Sequence, residues 1–220
     1  NDPAVLELSQ TRRNFIGRAI MELCCREVFE WNKMQTDPNF GNYLLRIGDA
    51  PEKDQIVLLD FGAIRDFDND VLGPGREMIR ASFYHDTERL IRALSALDFL
   101  ARGTPRRILD DFAAMCFEAI EVLQDPEKFP PPADLLNDKL EYRWGESNLP
   151  ARIMNKAGRN ALSVHFEVPP KEFIFLFRKL LGAYTFLHVI DAEVRGNTIL
   201  EPFIHMQEED DLHQVDQKTW

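Results

Sequence analysis

Asp37-Pro38-Asn39-Phe40-Gly41-Asn42 and, eighteen residues beyond Asn42, Asp60-Phe61-Gly62-Ala63 are the stretches whose reading decides the fold. The first lies in a segment, Asn32 to Gly41, where Pro and Gly break any helical period, so it reads as a loop. Between the two stretches stand Tyr43-Leu44-Leu45-Arg46-Ile47 and Gln55-Ile56-Val57-Leu58-Leu59, both short and β-prone. The segment separating them, Gly48-Asp49-Ala50-Pro51-Glu52-Lys53, predicts a hairpin with a long turn, the one sheet expected in the chain. Asp60 then follows directly on the second strand.

Taken singly, each polar residue here has an ordinary structural role. Asp37 can cap a turn before Pro38, Asn42 can be a turn residue, and Asp60 can end a strand. Taken in this order around a hairpin, they predict half of a phosphoryl-transfer site. Moving a γ-phosphoryl group needs the charge on its oxygens neutralised, mainly by Mg²⁺. Magnesium takes hard oxygen ligands, which the Asn42 side-chain carbonyl and the Asp60 carboxylate supply from the two ends of the hairpin. Asp37 is the candidate catalytic residue, placed to orient or deprotonate an attacking hydroxyl or water. The expected cofactors are ATP and Mg²⁺, with Asn42 and Asp60 as metal and cofactor ligands.

Outward from this centre the chain reads as helical. Phe15, Ile16, Ala19, Ile20, Leu23, Cys24, Val28 and Trp31 recur at three- and four-residue steps and predict a helix from about Val5 to Trp31. Downstream, Gly73-Pro74-Gly75 leads into a helix, Asp86 caps another running to Leu100, and Pro105 opens one to about Gln124. A Pro-rich connector spans Asp125 to Pro132, and further helices are predicted over Ala133–Tyr142, Leu149–Leu162 and Lys171–Ile190. The fold class is mainly α with one β-hairpin, the C-terminal lobe of a protein-kinase-like fold. Residues 1–206 form that lobe, with the catalytic loop and hairpin at 32–68 and a helical remainder at 76–206. Residues 207–220 read as an acidic tail, solvated and mobile.

Composition supports a folded chain, with 45% apolar residues and sixteen Phe among 220 residues. A net charge of −11 argues against a nucleic-acid partner held by a basic surface. Cys24, Cys25 and Cys116 fit neither a disulfide framework nor a zinc site and read as small buried hydrophobes. His188 reads as a satisfied core or interface histidine, and His165 belongs to no metal-ligand pair. The longest apolar stretch, Phe173 to Ile190, is interrupted by Arg178-Lys179 and reads as a buried helix rather than a membrane span.

The run from Leu8-Ser9-Gln10 through Cys24-Cys25-Arg26-Glu27-Val28-Phe29-Glu30 and Met34-Gln35-Thr36-Asp37-Pro38-Asn39 to Leu58-Leu59-Asp60-Phe61-Gly62-Ala63 resembles the UbiB/AarF/ADCK atypical kinases, the ABC1 family, near its mitochondrial ubiquinone-biosynthesis branch. The likeness is densest over residues 8–68 and loosens through the helices to about Phe203, including Val168-Pro169-Pro170. It implies Mg²⁺-dependent ATP binding, ATPase or small-molecule kinase-like activity, and support of ubiquinone biosynthesis near a membrane. Lipid or quinone precursors and ubiquinone-biosynthesis proteins are the partners it implies. It implies a cytoplasmic setting at the inner membrane in a bacterium, or the mitochondrial matrix in a eukaryote.

Departures from ordinary protein kinases narrow the reading. Gln35-Thr36 stand where His-Arg would precede the catalytic Asp, Asn39 stands where a Lys would follow it, and no Ala-Pro-Glu follows Asp60-Phe61-Gly62. These features argue against phosphorylation-switched, protein-directed kinase activity. Arg65 is expected either near phosphate or paired with Asp66 or Asp68. The chain holds no Gly-rich loop, no Val-Ala-Ile-Lys strand and no Lys-x-Gly-Gln element, and Glu27 and Glu30 lie on the wrong helix to replace the partner Glu. Starting at Asn1-Asp2-Pro3, it reads as part of a longer protein whose N-terminal lobe is elsewhere. Weak ATP binding by this piece and an apolar seam that favours self-association follow from that reading. Two alternatives stand beside it: a non-catalytic, pseudokinase-like lipid- or partner-binding scaffold, suggested by Phe173, Phe175, Phe177, Tyr184 and Phe186, and an aminoglycoside- or choline-kinase-like phosphotransferase.

Overall fold

Ser9, extended at φ −59° and ψ 152°, delays the first long helix, so the chain opens with a 3-10 turn at Pro3–Val5 and α1 runs over Gln10–Arg26. Ile16, Ile20, Met21 and Cys25 lie on its buried face, as the apolar spacing predicts. The helix then widens into one π-turn, Glu27–Trp31, closed by Asn32 in the left-handed conformation. The computed structural model describes residues 3–37, 39–161 and 170–218. Pro38, Leu162, His165 and Val168-Pro169, on which parts of the sequence reading fell, lie outside the described residues.

The predicted hairpin is present: β2 (Tyr43–Arg46) pairs antiparallel with β3 (Gln55–Leu58), in a register that sets Tyr43 against Leu58. Two further two-stranded ladders were not expected. The first joins β1 (Lys33–Gln35) to β4 (Ile64–Asp66), and the second joins β5 (Tyr142–Arg143) to β6 (Glu193–Val194). Strands of two or three residues are too short to show alternation, and their partners lie far along the chain. The fold is mainly helical with these small antiparallel sheets, in keeping with a kinase-like lobe.

Helix α2 (Asn69–Phe83) starts before Gly73-Pro74-Gly75 and runs through it. Pro74 offers no N–H to the carbonyl four residues back, that of Asp70, and Lys218 Nζ donates to that oxygen at 2.7 Å instead. Helix α3 (Thr87–Ala96) is capped by Asp86, whose side chain accepts from the Arg89 N–H at 2.9 Å. Helix α4 (Arg106–Ala119) follows Pro105, and a 3-10 turn at Glu121–Leu123 breaks off before Gln124. Only a 3-10 turn at Ala133–Leu135, and no α-helix, forms within Ala133–Tyr142. Asn137 accepts from the N–H groups of Lys139 and Glu141, Leu140 takes φ +59°, and a turn leads into β5. Helices α5 (Leu149–Ala161) and α6 (Lys171–Val189) follow, then β6, α7 (Asn197–Leu200) and α8 (Glu208–Lys218).

The core has two parts. The larger centres on α1, the π-turn, Trp144 and α6, and the smaller on Leu90, Leu94, Leu97 and Phe112 of α3 and α4. The α6 aromatics Phe173, Phe175, Phe177 and Phe186 pack against these clusters, and Tyr184 is buried within the larger. His188 is an exposed residue whose Nδ1 lies 2.9 Å from the Trp144 carbonyl, not a core histidine. All three cysteines are free thiols, and burial pushes Cys24 and Cys116 up to about 12, which keeps them protonated and inert. No helix among the described residues is long and apolar enough to cross a membrane.

Residues 208–218, expected as a solvated and mobile tail, form α8 and pack on α2 and α3. The reason is a buried charge cluster that the acidic run Glu208-Glu209-Asp210-Asp211 conceals. Asp211 is fully buried and bridges Arg76 Nη2 at 2.5 Å and Arg80 Nη1 at 2.7 Å. Arg80 also reaches Glu77, which is bound by Arg89, and Arg89 Nη2 closes on Glu208 at 2.8 Å. Three arginines thus balance three carboxylates.

Hydrogen bonding with His205 and the nearby Arg89 guanidinium hold the Glu208 carboxyl below the usual carboxylate range. A lowered folded-state pKa gives stability that is full above 4.5 and is lost as pH falls through the folded value. The stability gap between wild type and Glu208→Gln is therefore expected to be largest at neutral pH and to close in acid. Urea midpoints at pH 7 and below pH 4.5 check this, and a gap independent of pH would refute it.

Candidate functional site

The two chemistry-bearing loops leave and return through one ladder. In β1–β4, Gln35 faces Ile64 and Lys33 faces Asp66, and just beyond it the Thr36 N–H and Oγ1 both donate to the Ala63 carbonyl, at 3.1 and 2.8 Å. Inside this clamp, the Leu59 N–H donates to the Asn42 carbonyl at 2.9 Å, tying the main chain beside Asp60 to that of Asn42. A 3-10 turn, Phe40–Asn42, begins after Asn39, whose side chain accepts from the Gly41 N–H at 3.0 Å. Local turn chemistry thus delivers Asn42 to the start of β2.

Asp37 is half-buried. Its Oδ2 accepts from Asn42 Nδ2 at 2.8 Å, and its Oδ1 accepts from the Asn39 N–H at 3.3 Å. With Nδ2 committed to that carboxylate, the Asn42 Oδ1 accepts no hydrogen bond among the described residues. Asp60 is exposed, and its Oδ1 accepts from the Gly62 N–H at 2.7 Å. Its Oδ2 takes no hydrogen bond among the described residues. Asn42 and Asp60 line one cleft of about 160 Å³, together with Gln35, Tyr43, Phe61 and Glu27.

The donor set suits magnesium. Two hard oxygens, one amide and one carboxylate, face a shared cleft and leave the remaining positions to water or phosphate. No group of three or more His, Cys, Asp or Glu residues capable of holding a metal occurs among the described residues. Arg65 makes neither of the expected ion pairs among the described residues: its guanidinium lies 4.5 Å from the Phe175 ring centroid, while Asp66 pairs with Lys33. A larger cavity of about 320 Å³ lies among α1, α4 and α6, lined by apolar side chains, the three cysteines and Lys179. Among the described residues, no carboxylate lines it.

Sequence reasoning missed three residues behind the site. Gln35, buried, donates through Nε2 to the Asp60 carbonyl at 2.6 Å, and its Oε1 accepts from the Asp37 N–H at 3.3 Å. Its own N–H donates to Glu27 Oε1 at 3.1 Å. Glu27 is buried and paired with Lys179 of α6, whose Nζ lies 3.1 Å from Oε1 and 2.9 Å from Oε2. Burial raises the Glu27 pKa against the pull of Lys179. Desolvation also opposes the Lys179 charge, but the Cys24 thiol, the Glu27 carboxylate and the Tyr43 hydroxyl around it favour the charged form and hold it above the ordinary lysine range. The signal available in the sequence was Lys179 itself, a charge inside an apolar helix.

Residues 1–94 match the model of the ABC1 atypical kinase-like domain, and they contain all three predicted site residues. Over this stretch the chain is similar to the ABC1 atypical kinases. Among ABC1 relatives, the mitochondrial atypical kinase COQ8 of Saccharomyces cerevisiae is 38% identical over 186 residues, covering 84% of this chain and 34% of that protein. The mitochondrial atypical kinase COQ8B of Rattus norvegicus is 30% identical over 198 residues, covering 90% and 34%. The mitochondrial atypical kinase coq-8 of Caenorhabditis elegans is 27% identical over 191 residues, covering 87% and 23%. The chain thus spans about a quarter to a third of the length of the curated relatives it matches.

Proposed function

We propose that this chain is the C-terminal lobe of a Mg²⁺-ATP-dependent atypical kinase or ATPase. In this reading Asn42 and Asp60 hold the metal and, through it, the nucleotide phosphates, while Asp37 orients or accepts the proton of the attacking oxygen. The observation that carries the proposal is the Asp37–Asn42 hydrogen bond, which leaves the Asn42 carbonyl oxygen without a partner among the described residues, in the cleft that Asp60 also lines. When bound, Mg²⁺ would neutralise charge on the transferring phosphoryl group. The protein's own part is to hold two oxygens and one base at fixed places on a clamped hairpin.

The same reading extends to biology. The named relatives are mitochondrial atypical kinases, and we assign the parent to support of ubiquinone biosynthesis, with lipid or quinone precursors as its setting and peripheral contact with a membrane. Phe61 and Ile64, both large and exposed, line the cleft, and Leu44 and Leu59 are exposed on the hairpin that carries it; in this reading they meet the N-terminal lobe. Without that lobe this chain is inactive and holds ATP weakly. The scaffold alternative loses its main support, because the α6 aromatics pack against the core rather than form a lipid-facing surface.

The test is Mg²⁺-dependent ATP turnover by the full-length parent carrying Asp60→Asn. A loss of about 10²-fold or more is expected when a charge-stabilising group at the reacting phosphate is removed. Turnover equal to wild type would overturn the proposal.

A further inference from the structure

We propose that Lys179, acting through Glu27 and Gln35, is a positioning residue that sets the spacing of Asn42 and Asp60. This inference rests on reading their cleft as a metal-binding half-site. Lys179 lies on α6, far in sequence from both loops, yet it reaches each of them. One arm runs from Nζ to Glu27, from Glu27 Oε1 to the Gln35 N–H at 3.1 Å, and from Gln35 Nε2 to the Asp60 carbonyl at 2.6 Å. The other runs from Nζ to the Tyr43 hydroxyl at 3.4 Å, and Tyr43 follows Asn42 in the chain. Gln35 also accepts from the Asp37 N–H, so one buried side chain touches the backbone of both candidate aspartates.

Stability alone does not account for the ion pair. Lys179 and Glu27 are 5% and 4% exposed, and a buried pair of this kind is often replaced by apolar residues without loss. What apolar residues cannot do is present a carboxylate oxygen to the Gln35 N–H. That contact fixes the strand position from which the Gln35 amide spans to Asp60. Partners behind a metal ligand act by orienting it, and their loss typically weakens metal binding by about 10–100-fold.

The experiment uses this chain and Mn²⁺ as the probe. Paramagnetic broadening of the Asn42 side-chain amide and the Gly62 N–H is followed by NMR during a Mn²⁺ titration. In Lys179→Met, the Mn²⁺ concentration needed for half-broadening is expected to rise about 10-fold. Lys179→Arg, which keeps the charge, is expected to restore most of that. Because Lys179→Met leaves Glu27 buried and unpaired, the double variant Glu27→Leu/Lys179→Met guards against simple misfolding. It leaves no unmatched charge, and the relay predicts the same rise in a folded protein. A merely structural pair would instead leave the folded double variant with wild-type Mn²⁺ dependence, which overturns the inference. Absence of localised broadening in wild type removes the half-site reading and the relay together, whereas localised broadening unaffected by either variant removes the relay alone.

Discussion

Replacing Asp211 with Ala lowers the unfolding free energy by about 3–5 kcal/mol, the cost of breaking a buried pair by removing one partner. Asp211 is the only carboxylate bridging both Arg76 and Arg80 among the described ion pairs, and all three side chains are fully buried. Its loss leaves two guanidinium groups short of counter-charge, with only Glu77 nearby and that residue already shared with Arg89. The desolvation cost of the stranded arginines dominates the result. Glu209→Ala, on an exposed neighbour in the same helix, is expected to stay within about 0.5 kcal/mol. Urea unfolding with unchanged slope measures both, and equal effects at the two positions would show that the buried cluster does not hold α8 in place. Damage should spread to the site, because Arg76 and Gln207 also bind the Val28 and Phe29 carbonyls of the π-turn that carries Glu27.

In the full-length parent, Asp37→Asn is expected to cut ATP turnover by about 10²–10⁴-fold, the usual contribution of a positioned general base. An asparagine at this position can still accept from the Asn42 amide through its carbonyl oxygen, so the loop geometry survives while basicity is lost. The effect should therefore fall on the maximal rate and leave the Mg²⁺ dependence near wild type. Asp60→Asn should, besides lowering turnover, raise the Mg²⁺ requirement, because it removes a ligand charge rather than a base. Turnover of Asp37→Asn within twofold of wild type would take the base away from Asp37.

Much of the site was legible because its parts are local. The Asp37–Asn42 spacing, the turn signals around Gly41, the β2–β3 hairpin and the strand leading to Asp60 all lie within one short stretch, and turn and strand preferences act over such distances. Gln35 was read only as a departure from His-Arg, yet its amide joins Asp60 to Asp37. Glu27 was set aside for lying on the wrong helix, which is the helix that brings it under Gln35. The predicted helix over Ala133–Tyr142 failed because Asn137 offers its side chain to the Lys139 and Glu141 N–H groups, and a turn outcompetes a weak apolar period.

By itself, then, the sequence determined the helices with a strong apolar period, the central hairpin and the placement of Asp37, Asn42 and Asp60 around it. Only the tertiary structure decided which charges are buried. Lys179 meets Glu27 across 152 residues, and Arg76 meets Asp211 across 135. An acidic run looks like a solvated tail until the arginines that neutralise it are in view. A buried charge is tolerable only where its counter-charge arrives, and that arrival is a property of the packed fold.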